Sequence, residues 1–316
     1  MLINKIYYHL RPLLQRNVQI ALRREVIRRK RSDYADIWPI DEKAGAPPAN
    51  WAGWPDQKRF ALVLTHDVET AAGQEKCRRL MQLEARLGFR SSFNLVPERY
   101  DVSPELRREL VDHAFEVGVH DLYHDGKLYN SLELFQRHAV RINHYIREWQ
   151  TAGFRSASMH HNLEWIHHLN IAYDASTFDT DPFEPQPDGV GTIFPFWVPG
   201  NSCQKGYVEL PYTLPQDFTL FVLMQEPTIE IWKRKLDWIA RHGGMALVLT
   251  HPDYMNFDEG KAGLAEYPAQ YYENFLEYIR REYEGKYWHA LPRQAASFYS
   301  TRMAPSLESR THSIEN

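Results

Sequence analysis

The chain has 316 residues, of which 43% are hydrophobic, 25% charged and 13% aromatic. These proportions are those of an ordinary folded protein, so they exclude a disordered or fibrous chain. No apolar run approaches the roughly 20 residues that a membrane-spanning helix needs. The two cysteines, Cys77 and Cys203, are too few for a disulfide framework or a thiolate metal cluster.

The net charge of −4 is unevenly distributed along the chain. Residues 1–31 carry nine Lys and Arg against the single acid Glu25, a net +8, which leaves −12 for the remainder. An acidic body argues against nucleic acid as a partner, whereas a basic, loosely amphipathic arm can contact anionic lipid or a partner protein. The alternative is that the arm packs its apolar residues on the body: Leu13, Leu14, Ile20, Leu22 and Ile27.

The first ten residues contain Lys5 and His9 and lack the continuous apolar core of a secretory signal. Together with the low cysteine count, this predicts a reducing, cytoplasmic location, with peripheral membrane contact through the arm as an option.

From about Lys58 onward, short apolar runs alternate with amphipathic stretches. The pattern predicts helices at residues 75–87, 103 to about 118, 131–149 and 228–241, and a Pro-rich loop at 181–191. It predicts strands at 59–65, 91–96, 117–120, 154–156, 171–177, 192–198, 207–212 and 245–250. Repeated strand-then-helix order favours a parallel barrel or a doubly wound sheet. We predict an arm and linker (1–57), a barrel domain (58–300) and a polar tail (301–316).

Side chains that carry chemistry follow four of the predicted strands. In α/β barrels the active site lies where the strands end. Asp67 and Glu69 follow the first strand, and their i, i+2 spacing places both on one side of an extended chain. The remaining candidates, each at another strand end, are His120, His124, Arg155 and His251. Four strand ends that each deliver a titratable or cationic group predict one shared site.

Each of these pieces is weak when taken alone. One histidine pair spaced by four residues is expected by chance in a chain with 15 histidines, and Asp67 and Glu69 could equally belong to a helix N-terminus or an exposed turn. Four other histidines invite a second metal site, although a histidine-bearing helix surface is the interpretation we favour: His160, His161, His167 and His168. Four aromatic residues could stack on sugars or anchor the fold: Phe183, Phe196, Trp197 and Tyr254.

Taken together, the six candidates make a coherent chemistry. Two imidazoles and one carboxylate commonly hold Zn²⁺ or a similar ion and leave positions open for water and substrate. A second carboxylate can take a proton from water, and a histidine across the site can protonate the leaving group. An arginine beside the base would keep it ionised.

These motifs resemble those of the polysaccharide deacetylase family, the NodB-homology domain of carbohydrate esterase family four. The resemblance spans about residues 58–300, and the motifs occur in the family's order: Thr65-His66-Asp67-Val68-Glu69, His120 to His124, Gly153-Phe154-Arg155-Ser156 and Leu249-Thr250-His251. It implies a distorted parallel (β/α) barrel, usually of seven strands. It also implies metal-dependent hydrolysis of an N- or O-acetyl group on a sugar or polysaccharide.

The resemblance also implies a role for each candidate residue. Asp67 would be the base, His251 the acid and Arg155 the partner of the base. The ligands of a divalent ion, with Zn²⁺ expected, would be Glu69, His120 and His124.

The chain departs from the family pattern at several positions. Val68 replaces the second of two adjacent aspartates, so Glu69 would serve as the metal ligand of an Asp-x-Asp-like variant. The motif around Arg155 lacks the usual proline and tyrosine. Three residues are candidates for the carboxylate that orients His251: Asp174, Asp179 and Asp181.

These departures leave two alternative functions open. One is a related C–N hydrolase acting on a small non-sugar amide. The other is a catalytically silent glycan-binding barrel, against which the presence of Asp67 and His251 argues, because a pure binder needs neither.

Overall fold

The structure, a computed structural model, describes residues 16–201, 204–258, 260 and 262–303. Its centre is strand β1 (Phe60–Val68), whose nine residues are all buried, as a strand covered on both faces of a parallel sheet requires. The other strands are β2 (Ser92–Leu95), β3 (Glu116–His120), β4 (Gly153–Arg155), β5 (Tyr173–Asp174), β6 (Phe196–Val198), β7 (Tyr207–Glu209), β8 (Met245–Thr250), β9 (Met255–Asn256), β10 (Tyr267–Pro268) and β11 (Tyr287–His289).

The main sheet is curled and almost entirely parallel. Its order is β8-β1-β2-β3-β4-β5-β7-β6, and β11 pairs with the start of β1; among the described strands of this sheet, the antiparallel pair is β6 with β7. The sheet closes where Thr213, just beyond β7, donates from its backbone N to Leu247 O (3.1 Å) and from its hydroxyl to Met245 O (2.7 Å) on β8. The predicted distorted parallel barrel is confirmed, with seven parallel strands from β8 round to β7.

The helices lie between and outside these strands. They are α1 (Arg16–Lys30), α2 (Ala71–Leu87), α3 (Pro104–Asp112), α4 (Leu132–Glu148), α5 (Leu163–Ile166), α6 (Glu230–His242), α7 (Gln270–Tyr283) and α8 (Pro292–Met303). Ser103 and Ser131 cap α3 and α4 by accepting hydrogen bonds from Leu106 N and Leu134 N. The part of the chain that the structure describes contains no helix long and apolar enough to cross a membrane.

Several boundary predictions were wrong. The strands predicted at 192–198 and 207–212 are reduced to Phe196–Val198 and Tyr207–Glu209. The predicted helix from residue 103 ends at Asp112 instead of near Gly118, because Ala114 takes a positive φ of 63° and β3 begins at Glu116. The strand predicted over 171–177 is reduced to Tyr173–Asp174, since the backbone N atoms of Ser176 and Thr177 donate to the carboxylates of Asp174 (3.4 Å) and Glu209 (3.1 Å) instead of to a carbonyl of a neighbouring strand. Helix α8 extends to Met303; the rest of the predicted tail lies outside the described residues.

The segment before the barrel packs on it. Ile20 and Ile27 of α1 are buried, and the Arg24 guanidinium donates to Val222 O (2.9 Å) and Leu264 O (2.8 Å). Leu13 and Leu14 lie outside the described residues. Farther along, Trp54 is buried against α8, stacking on Phe298, and donates to Gly243 O at 2.7 Å. The predicted arm and linker therefore contribute to the core.

Candidate metal and catalytic site

The base candidate Asp67 lies at the end of β1 and is almost fully buried. Its Oδ1 accepts a hydrogen bond from Asn94 Nδ2 (2.8 Å) on the neighbouring strand β2. The Arg155 guanidinium, at the end of β4, lies 3.4 Å from the same oxygen and also donates to Thr65 Oγ1 at 2.9 Å. Side chains from three strands, β1, β2 and β4, thus converge on one carboxylate.

The charge state of Asp67 follows from these neighbours. Burial alone would raise the pKa of the carboxyl, but the electrostatic interactions with His120, Arg155 and His251 and the Asn94 hydrogen bond outweigh it. The net effect lowers the pKa of Asp67, so the group is an ionised carboxylate that can accept a proton.

Three side chains beside Asp67 form a group suited to a metal ion. The donor atoms of Glu69, His120 and His124 all lie within 4.8 Å of one another, and no other such group occurs among the described residues. Glu69 Oε1 is 3.3 Å from His124 Nε2, and His120 Nε2 is 3.7 Å from Asp67 Oδ2. His124 follows β3 and has a positive φ of 55°, and this turn of the backbone directs its side chain toward the other two.

The hydrogen bonds of the two imidazoles test whether they fit an ion. Nδ1 of His120 donates to Arg155 O at 3.0 Å, which leaves the lone pair of Nε2 facing the site, as metal-binding histidines arrange. Nε2 of His124 is buried without a hydrogen-bond partner. The three side chains therefore fit a divalent ion in residue type and in the spacing of their donor atoms.

One neighbour works against His124 as a ligand. Arg99, in the loop after β2, lies with NH1 2.6 Å from His124 Nδ1. A guanidinium can only donate, so this contact places the proton of a neutral imidazole on Nε2. Binding of an ion at Nε2 therefore requires Arg99 to leave this contact.

The chain holds Glu69 in place from two directions. Tyr254 donates its hydroxyl to Oε2 at 2.9 Å, and the Asp253 carboxylate accepts from the Glu69 backbone N at 2.9 Å. Asp253 also accepts from the Thr70 hydroxyl (2.5 Å), so it fixes the turn that follows β1. Tyr254 is thus a partner of the ligand candidate, a role that sequence reasoning did not anticipate.

The acid candidate His251, at the end of β8, is paired with Asp217. Its Nδ1 donates to Asp217 Oδ1 at 2.7 Å, and its backbone N donates to Oδ2 at 2.8 Å. Burial lowers the pKa of the imidazole, but the charge and hydrogen bond of Asp217, with the charges of Glu69 and Asp67, raise it to about 10. Nε2 of His251 lies 4.0 Å from Glu69 Oε1, so a protonated imidazole faces the ligand group.

The three carboxylates predicted as partners of His251 were wrong. Asp174 accepts from the Ser176 hydroxyl (2.7 Å), Asp179 pairs with the buried ammonium of Lys235 (2.5 Å), and Asp181 accepts from the Tyr212 hydroxyl (3.1 Å). Each of these carboxylates makes its contacts on the β5–β7 side of the barrel and not with His251. The signal that could have found Asp217 is its position in the segment that leaves the end of β7, eight residues beyond that strand.

The predicted histidine-bearing helix surface was also wrong. Helix α5 has only four residues, and the four histidines flank it in partly buried loops. His161 and His167 donate to the backbone carbonyls of Met159 and Lys205. Among the aromatic candidates, Phe183 packs edge-on against Trp38 at 5.2 Å, so it anchors the Pro-rich loop to the linker.

No family model and no curated protein sequence matches the chain. Among solved structures, a protein of Mycobacterium smegmatis assigned as a polysaccharide deacetylase superposes with a TM-score of 0.63 at 16% identity, over 81% of this chain and 95% of that one. The allantoinase PuuE gives 0.63 at 15% identity, over 85% and 99%.

A Pseudomonas aeruginosa protein assigned as a polysaccharide deacetylase gives a TM-score of 0.62 at 15% identity, over 84% of this chain and 99% of that one. At these identities the comparison establishes the architecture and not the chemistry. It agrees with the closed parallel sheet described above. The resemblance expected from the sequence is confirmed at this level: the chain has the fold of the polysaccharide deacetylases.

Proposed function

We propose that the protein is a metal-dependent hydrolase that removes an acetyl group from an acetylated sugar or polysaccharide. The observation that carries this proposal is the group Glu69, His120 and His124 with an ionised Asp67 on one side and a protonated His251 on the other. A hydrolase needs a base for water and an acid for the leaving group, and the site presents one of each.

Glu69, His120 and His124 would hold the ion, for which the ligand set favours Zn²⁺. When bound, a divalent ion polarises a carbonyl oxygen and lowers the pKa of water that it binds. Asp67 accepts the proton of the attacking water, and Arg155 keeps the Asp67 carboxylate ionised and oriented. Nε2 of His251 then donates its proton to the departing amine or alcohol, while Asp217 stabilises the imidazolium.

A second candidate is hydrolysis of a small non-sugar amide. It is favoured by the likeness to the allantoinase PuuE, because PuuE superposes on this chain as well as the two proteins assigned as polysaccharide deacetylases do. Val68 in place of an adjacent aspartate and the altered residues after Arg155 also allow a substrate pocket of different chemistry. The same base and acid would serve either reaction, because both cleave a bond to carbonyl carbon.

The test combines metal analysis with turnover. Purified protein is analysed for bound metal, and acetate release is then measured on a panel of acetylated saccharides beside a panel of small amides. We expect metal-dependent acetate release that falls by about 10²-fold or more in Asp67→Asn. Hydrolysis confined to small amides would select the second candidate. Absence of turnover on both panels by metal-loaded protein would contradict the proposal.

A further inference from the structure

Helix α1 has a line of exposed aliphatic side chains on the face that points away from the barrel. Val18, Leu22 and Val26 are four residues apart, so they lie along one face of the helix, and 43 to 47% of each is exposed. Ile20 and Ile27 lie on the opposite face and are buried. We call the three exposed residues the α1 stripe. Single exposed aliphatic residues are ordinary, but three in line on one helix indicate a binding surface.

The helix is fixed so that this face stays outward. The two hydrogen bonds from Arg24 to backbone carbonyls and an ion pair between Arg31 and Glu226 (2.5 Å) join the inner face to the body. The α1 stripe can therefore meet a partner without the helix detaching from the barrel.

The charge around the α1 stripe selects the kind of partner. Arg28 and Arg29 lie at the exposed C-terminal end of the helix with Lys30, and both arginines pair with Glu25. Residues 1–31 carry a net +8 and the rest of the chain −12. A second copy of the chain would set two strongly basic surfaces against each other. An anionic lipid surface attracts the helix and repels the acidic body, which also orients the protein.

We propose that the α1 stripe and the basic residues around it bind the surface of an anionic lipid bilayer. A helix with an aliphatic face and flanking cations lies in the plane of the interface, with the aliphatic side chains at the boundary of headgroups and acyl chains. This proposal does not rest on the proposed function.

The helix that binds lipid lies close to the candidate site. The Arg23 guanidinium lies over the Phe218 ring at 5.0 Å, and that ring is 4.6 Å from Tyr254, whose hydroxyl bonds Glu69. Two side chains thus separate the docked helix from a ligand candidate. A bilayer-bound molecule would hold its site near the lipid surface.

The experiment is sedimentation of the full chain with vesicles of phosphatidylcholine, with and without phosphatidylserine. Leu22→Asp puts a charge in the α1 stripe and should weaken binding to the anionic vesicles by about tenfold or more. Val140→Asp is the matched control, because it puts the same charge on an exposed valine of α4 and should leave binding unchanged. Arg29→Glu, at a largely exposed side chain, should also weaken binding and carries little risk of misfolding.

Several outcomes would overturn the proposal. Equal binding of the wild-type chain to both kinds of vesicle, or to neither, would exclude anionic lipid. A change of oligomeric state in Leu22→Asp, measured by sedimentation velocity, would make a second copy the occupant. A lower melting temperature in Leu22→Asp than in Val140→Asp would mean that the chain itself covers the α1 stripe. Binding that falls with added salt and is lost in both Leu22→Asp and Arg29→Glu is the result we expect.

Discussion

Replacement of Asp217 by asparagine tests the role of His251 most directly. The change keeps the shape of the side chain and removes the charge that lies 2.7 Å from Nδ1 of the imidazole. Because Asp217 is the largest cause that raises the pKa of His251 above its usual 6.5, we expect the pKa to fall from about 10 to 6.5 or below. A fall of about 3.5 pK units corresponds to about 5 kcal/mol of lost stabilisation of the imidazolium.

The expected effect on turnover follows from the protonated fraction. With a pKa of 6.5, only about 3% of the imidazole is protonated at pH 8, so turnover there should fall roughly 30-fold from this cause alone. In a profile of kcat/KM against pH, the basic limb should move to lower pH by about three to four units. Tyr267→Phe is the control, since it removes a hydroxyl donor to Asp217 Oδ2 (2.9 Å) and leaves the charge.

The same substitution predicts a change in stability. The pKa of folded His251 lies above that of the unfolded chain, so its stabilising contribution is complete below about pH 6.5 and is lost as the pH rises through about 10. The melting temperature of the chelator-treated wild type should therefore fall between pH 7 and 10 more steeply than that of Asp217→Asn. A variant with normal folding and metal content but an unchanged basic limb would refute the pairing as the source of acid catalysis.

Three further predictions concern the metal group and the arm. His120→Ala and Glu69→Ala should each lose most bound metal, whereas Asp67→Asn should retain metal and lose turnover by about 10²-fold or more. If elemental analysis shows that Asp67→Asn loses the metal and Glu69→Ala retains it, the roles of the two carboxylates are exchanged. Arg99→Met should increase metal affinity in a competition titration with a chelator, because the donor that places a proton on His124 Nε2 is gone; an unchanged affinity would mean that Arg99 moves freely. Deletion of residues 1–31 exposes the barrel surface that Ile20 and Ile27 cover. Because burial of each side chain stabilises the fold by about 1.5 to 3 kcal/mol, the melting temperature should fall by about 5 °C or more. An equal melting temperature would contradict the packing.

The sequence by itself determined which strand ends come together. Asp67, His120, Arg155 and His251 each follow or end a buried apolar run, and parallel strands deliver their C-terminal ends to one edge of a sheet. The order of the strands in the sheet is not needed for this prediction, because any parallel arrangement of β1, β3, β4 and β8 places these residues at the same end. The barrel and the composition of the candidate site could be predicted for this reason.

Only the tertiary structure decided which side chains pair with these residues. Asp217 lies 34 residues before His251, and the two meet because Thr213 bonds β8 and closes the sheet just ahead of Asp217. The contacts of Arg99 with His124 and of Asp253 with the backbone of Glu69 likewise depend on how neighbouring loops fold over the strand ends. The periodicity of hydrophobic residues specifies which strands form. These polar contacts depend instead on closure of the barrel and on loop geometry, and neither is encoded in the local sequence.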